Sequence, residues 1–128
     1  MVPKYKHNDL ILVKKIQKNR KIAIKRNDII VFLDPITQKK PFIKRVIGLP
    51  GELIQIYDTG VITADNIVVN NSPATHLENK DTIVYEWKLH DEFIVLGDNR
   101  EESFDSRKFG PINANLLLGK VKCKIWSG

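Results

Sequence analysis

With 128 residues, 42% of them hydrophobic, the chain suits one domain with a modest core, and no run approaches the ~20 apolar residues of a membrane span. Its net charge of +6 leaves an anionic surface or nucleic acid open as partner, and the single cysteine, Cys123, excludes an intramolecular disulfide and a cysteine-based metal site. The thiol reads as a small buried hydrophobe.

Short β-branched runs follow one another along the chain. Strands are predicted at Leu10–Ile16, Lys21–Lys25, Asp28–Leu33, Phe42–Ile47, Leu53–Tyr57, Gly60–Thr63, Asn66–Val69, Thr82–Trp87, Glu92–Leu96 and Lys120–Trp126. Alternation such as Lys120-Val121-Lys122-Cys123-Lys124-Ile125 marks a half-buried strand, whereas the continuous Ile29–Leu33 run should be covered on both faces. Asn27-Asp28, Asp34-Pro35, Pro50-Gly51, Asp58-Thr59-Gly60 and Asn70-Asn71 punctuate the strands as turns. A short helix is predicted around Asn113–Leu118, capped by Asn113 and closed by Gly119. The polar, proline-containing stretch 72–81 reads as a mobile surface loop. Many short strands at close spacing predict a mainly β protein, an antiparallel barrel or sandwich rather than a parallel βαβ sheet.

The charge is unevenly placed. Residues 1–45 hold thirteen Lys or Arg against Asp9, Asp28 and Asp34, and the remainder holds eight against twelve acids. The lysines alternate with apolar strand residues, and neither an aromatic platform nor a recognition helix appears. A solvated basic face or an anionic membrane surface therefore suits this half better than nucleic acid.

Two segments carry chemistry. In Phe42-Ile43-Lys44-Arg45-Val46-Ile47-Gly48-Leu49-Pro50-Gly51-Glu52, two cations sit side by side within an apolar strand. Neighbours on a strand face opposite sides, so one of the pair faces the interior. A lysine carried into an apolar site loses charge and becomes a competent base; spacing alone favours the alternative, a lysine snorkelling to solvent. The second segment, Gly97-Asp98-Asn99-Arg100-Glu101-Glu102-Ser103-Phe104-Asp105-Ser106-Arg107-Lys108-Phe109-Gly110-Pro111, is dense in groups able to satisfy one another, with Asp105 bridging to an arginine. Its arginines oppose a bound cation, so no metal and no cofactor is expected.

Together the two segments resemble the type I signal peptidase family of serine peptidases. Its members carry a Lys-Arg-Val-Ile-Gly-Leu-Pro-Gly-Asp box and a Gly-Asp-Asn-Arg-x-x-Ser-x-Asp-Ser-Arg-x-Phe-Gly box, matched here with Glu52 in place of Asp. Asn8-Asp9-Leu10, Asn27-Asp28-Ile29, Val69-Asn70-Asn71 and Ile112–Lys120 resemble weaker family elements, so the resemblance spans the chain. It implies that Lys44 is the general base and that Ser103 positions its amine. It implies a scaffold of Arg45, Asp98, Asn99, Arg100, Asp105, Ser106 and Arg107, and a substrate groove along Met1, Val2, Pro3, Phe42 and Ile43. The family cleaves secretory signal peptides after small residues at the extracytoplasmic face of the membrane. Its nucleophile is a serine in a Ser-Met-x-Pro-Thr box; Met1-Val2-Pro3 match Met-x-Pro, which places that serine immediately before Met1. Residues 1–128 are thus expected to form one extracytoplasmic domain, with the anchor and nucleophile outside them and no peptidase activity of their own. Lys4 stands for the family's Thr and Tyr5 for an aliphatic residue. These departures imply the alternative of an inactive Gram-positive homologue that binds a pilin or another exported precursor in extended conformation and assists pilus polymerisation.

Overall fold

The computed structural model describes residues 10–15, 23–70 and 81–126, with the side chains of 10–15 and 123–126 left out. Among these residues ten strands appear in chain order. They are β1 (Leu10–Lys15), β2 (Ile29–Leu33), β3 (Pro41–Gly48), β4 (Leu53–Tyr57), β5 (Ile62–Ala64), β6 (Ile67–Val68), β7 (Ile83–Lys88), β8 (Glu92–Leu96), β9 (Ile112–Asn113) and β10 (Leu117–Trp126). A one-turn helix, α1 (Ser106–Phe109), precedes β9, and a 3-10 turn over Ala114–Leu116 leads into β10.

Six strands form one sheet in the order β1-β10-β2-β3-β8-β9, and four form a second in the order β6-β5-β4-β7. Among the described residues every strand pairing is antiparallel. The protein is a mainly β sandwich; neither sheet closes on itself among the described residues, which corrects the barrel form of the expectation.

Alternation decides where the core lies. Ile94 and Leu96 of β8 and the bulged Ile47 of β3 meet Ile54, Ile56, Ile62 and Ala64 of the second sheet, with Tyr85 and Trp87 at the margin. The opposite face of the first sheet carries Ile30, Phe32, Val46, Phe93 and Val95, closed over by Ile112, Phe109, Ala114 and Leu117. β8, flanked by β3 and β9, is therefore buried on both faces, as a continuous apolar run requires. Gly48 packs tightly against both sheets: a Cβ there would lie 2.7 Å from Ile54 Cγ1 and 3.0 Å from the Cβ of Ile94.

Three local expectations change. Residues 23–25 are not a strand, because Asn27 takes a left-handed φ of 74° and the Asp28 carboxylate accepts the Lys25 N–H, making a turn. The helix expected over 113–118 shrinks to the 3-10 turn capped by Asn113, since Leu117 is already extended and pairs with Phe32 of β2. The α-helical turn lies instead at Ser106–Phe109. The loop expected at 72–81 lies, apart from Asp81, outside the described residues.

Candidate active site

The site is built on the middle of β3, where Lys44 follows Ile43 and precedes Arg45. β2 pairs with β3 through Arg45–Ile29, Lys44–Ile30, Ile43–Val31, Phe42–Phe32 and Pro41–Leu33. On the other side β8 pairs with Arg45, Val46 and Gly48 only. After Leu96 the chain leaves the sheet at Gly97 and folds back over the face that carries Phe42, Lys44 and Val46. The two cations part as a pleated strand demands.

On one face, Lys44 is half-buried and its Nζ donates to Ser103 Oγ at 3.1 Å. Ser103 also helps to hold the nearby Asp105 carboxyl below its usual pKa. Asp105 is fully buried and caps α1. It accepts from Gly97 N at 3.1 Å, from Arg107 N at 3.1 Å, and from Arg107 Nε and Nη2 at 3.0 and 2.9 Å. Arg107 also donates to the Arg100 carbonyl, and Ser106 Oγ accepts from Val95 N at 2.9 Å, which pins α1 to β8. Gly97 is required by close approach. A Cβ on it would fall inside the Ser103 side chain and 3.5 Å from Lys44 Nζ.

On the opposite face, Arg45 forms a two-pronged ion pair with Asp98, Nε–Oδ1 at 2.9 Å and Nη2–Oδ2 at 3.0 Å, and donates to the Asn27 carbonyl. The adjoining Leu49-Pro50-Gly51-Glu52 turn has Gly51 at φ 87°, and the Glu52 carboxylate closes it by accepting Leu49 N. Glu52 also takes two hydrogen bonds from Arg26. The glutamate that departs from the family pattern is thus fully engaged.

The charges follow from these contacts. Burial lowers the pKa of Lys44 below the ordinary lysine value; the Asp105 charge pulls it upward and the Arg107 charge lowers it further. Burial alone would raise Asp105, but hydrogen bonds from Arg107, from the Gly97 and Arg107 amides and from Ser103 outweigh it and hold the carboxyl below its usual range. Arg107 thereby neutralises the one acid that would otherwise keep Lys44 protonated. Chemically, this is an amine primed to accept a proton, held by a hydroxyl that a buried carboxylate orients.

Comparison with known proteins gives this geometry a context. The family described as "Signal peptidase, peptidase S26" matches residues 1–126. The chain belongs to that family. It is 34% identical to a signal peptidase I of Leptolyngbya laminosa over 98% of this chain and 64% of the relative, and 34% identical to signal peptidase I V of Bacillus subtilis over 94% and 77%. It thus spans less than two thirds of the first of these relatives. A crystal structure of a signal peptidase I from Enterococcus faecalis superposes with a TM-score of 0.62 at 26% identity, over 79% of this chain and 98% of that one.

The signal-peptidase-like boxes are distributed as follows. Lys44, Ser103, Asp105 and Arg107 form one connected chain of contacts, and Ser106 supports it from below. Arg45 and Asp98 pair on the other face of β3, apart from the Asp105–Arg107 pair. Asn99 turns outward to Glu102 at 3.2 Å. Arg100 contributes its carbonyl, and burial lowers its guanidinium pKa. Phe42 shares the Lys44 face, whereas Ile43 joins Ile29, Val31 and Val121 on the other. Met1, Val2 and Pro3 lie outside the described residues.

Sequence reading passed over Gly97 and Phe104. The Phe104 ring is 45% exposed and packs edge-on against Phe42 at 6.2 Å and Phe109 at 5.4 Å. An apolar side chain between Ser103 and Asp105 in an otherwise polar segment was the available signal. Among the described residues no group of three His, Cys, Asp or Glu is arranged to hold a metal ion, and no helix is long and apolar enough to cross a membrane.

Proposed function

We propose that this chain is the peptide-binding, base-carrying part of a signal peptidase I-type serine endopeptidase that acts on exported precursor proteins. The observation that supports the reading is the Lys44 amine, drawn below its ordinary pKa by burial and tethered to Ser103. A serine nucleophile of the family's Ser-Met-x-Pro-Thr box would attack the carbonyl carbon of the scissile bond while its proton passes to neutral Lys44. The resulting ammonium would return that proton to the leaving amine nitrogen, and water would release the acyl group by the same route. Ser103 and Asp105 hold the amine in place, and Arg107 keeps Asp105 from fixing a proton on it.

The substrate enters as an extended strand. β8 stops pairing at Arg45, which leaves the Pro41–Lys44 edge of β3 without a β8 partner. A peptide added there would place its backbone beside Lys44, with small side chains at alternate positions. The basic first half suits the anionic extracytoplasmic membrane surface, where each cation contributes about 1 kcal/mol.

Lys44→Ala in the intact protein is expected to lower signal-peptide cleavage by two to four orders of magnitude, roughly what a positioned base supplies. Undiminished cleavage by a folded Lys44→Ala protein overturns the reading. Lys4 and Tyr5, where the family has Thr and an aliphatic residue, favour a second reading: an inactive homologue that holds a pilin or other exported segment in the same groove during pilus assembly. It predicts that the intact protein processes no precursor, while deleting its gene abolishes pilus polymer.

A further inference from the structure

Among the described residues, Arg26, Arg45 and Arg107 each hold a carboxylate with two hydrogen bonds, those of Glu52, Asp98 and Asp105. The Arg100 guanidinium donates to none of the groups described around it; only its carbonyl is engaged, by Arg107 Nη2. Asp105 and Asp98 attract it through space, but Arg107 and Arg45 already bind their oxygens. Arg100 is half-buried, and no fully buried side-chain nitrogen or oxygen among the described residues lacks a partner. The unbonded Arg100 nitrogens therefore reach the surface.

A guanidinium keeps its proton at any ordinary pH, so a half-buried one without bonds has lost water and gained nothing in return. Its fork of donors matches the two oxygens of a carboxylate. The backbone that carries it is firm. Glu102 N closes a turn onto Asn99 O at 3.2 Å, and the arginine that grips the Arg100 carbonyl is itself locked on the buried Asp105. Its place in the fold matters equally. Leu96 of β8 takes the edge of β3 opposite Arg45, and the chain departs at Gly97, three residues before Arg100. A peptide lying on the Pro41–Lys44 edge therefore runs into the 97–102 segment as it passes Lys44, and has to turn away over it.

We propose that Arg100 receives an acidic side chain of the bound peptide, at a position just beyond the stretch paired with Pro41–Lys44 and on its Lys44 end. A planar carboxylate fits the fork, and the exposed Glu101 and Glu102 beside it oppose the heavier charge of a phosphate. The three neighbouring arginines show the same preference, each holding a carboxylate. This inference rests on the strand-addition reading above. It adds a charge preference outside the positions that take small side chains.

The test measures binding rather than cleavage, and it uses the 128-residue chain. The probes are fluorescein-labelled octa-alanine peptides carrying a single aspartate, or a single asparagine, at each position in turn, with affinity read by anisotropy. The readout is the ratio of aspartate to asparagine affinity at each position. In the wild-type chain one position is expected to stand about five- to tenfold above the others, between the worth of an exposed ion pair and that of a charge-assisted hydrogen bond. Arg100→Gln is expected to bring that position down to the level of the rest, and Arg100→Lys, a point charge without the fork, to retain part of the excess. A ratio raised equally at every position is the general pull of a basic protein and overturns the site. Equal weakening of the aspartate and asparagine peptides in Arg100→Gln, with the ratio unchanged, marks a merely structural role and overturns it too, while strand addition survives. Absence of binding by any peptide to the wild-type chain removes the strand-addition reading itself, and this site with it.

Discussion

Lys44 and Arg45 are consecutive residues of one strand, yet their surroundings are opposite. Arg45 is 21% exposed and meets a carboxylate through two parallel hydrogen bonds. Lys44 meets a hydroxyl, and the nearby acid is already neutralised by Arg107. One site stabilises its charge and the other penalises it. The difference follows from chemistry as much as from position. A guanidinium keeps its proton at any ordinary pH and must be paired when buried, whereas an ammonium can release its proton when it is not. Alternation along β3 lets one dipeptide supply both a paired guanidinium and a desolvated amine.

The comparison can be broken most forcefully at Asp105. Asp105→Ala leaves Arg107 without its acid and the Gly97 and Arg107 amides without their acceptor. It is expected to cost about 3–5 kcal/mol in chemical denaturation; a loss below about 1 kcal/mol would show that the buried carboxylate is not the keystone of the loop. Gly97→Ala comes next, at about 1–3 kcal/mol, because the added methyl displaces Ser103. The same variant should move the Lys44 titration, followed by NMR of the methylated amine, back toward the ordinary lysine value.

Arg45→Ala is expected to lose about 1–2 kcal/mol, whereas Lys44→Met should gain up to about 1 kcal/mol at pH 7. Equal losses from the two variants would erase the contrast between them.

Acidity separates the faces more gently. Asp105 and Glu52 both have depressed pKa values, so their stabilisation is complete above the ordinary carboxylate value of about 4 and is lost as pH falls through their folded values. Lys44 is also depressed. Between its folded value and the ordinary lysine value the unfolded chain binds more protons, so stability rises with pH across that window. In Lys44→Met this alkaline rise should disappear from melting curves while the acid limb stays unchanged.

Much of this was legible from period and punctuation. The strands Leu53–Tyr57 and Glu92–Leu96 appear with the predicted bounds, because β-branched runs lay between strong turn signals. Helices were harder. Asn113 looked like the cap of a helix, but Leu117 is claimed by pairing with β2, a long-range demand invisible in a local window. The helical turn at Ser106–Phe109 had its signals in plain view, Asp105 as cap and Gly110 at φ 81°, yet so polar a segment read as a hydrogen-bonded loop.

The residues and their order alone determined a mainly antiparallel β protein, two polar boxes of signal peptidase type, and the rule that Lys44 and Arg45 face opposite ways, because covalent geometry fixes the side-chain period. Only the tertiary structure decided which of the two meets a carboxylate and which meets only a hydroxyl. That outcome depends on where the chain turns after Leu96, fifty-odd residues downstream, and on Gly97 letting Ser103 and Asp105 close over one face while Asp98 closes the other. Desolvation and ion pairing act through space, and sequence separation says nothing about either.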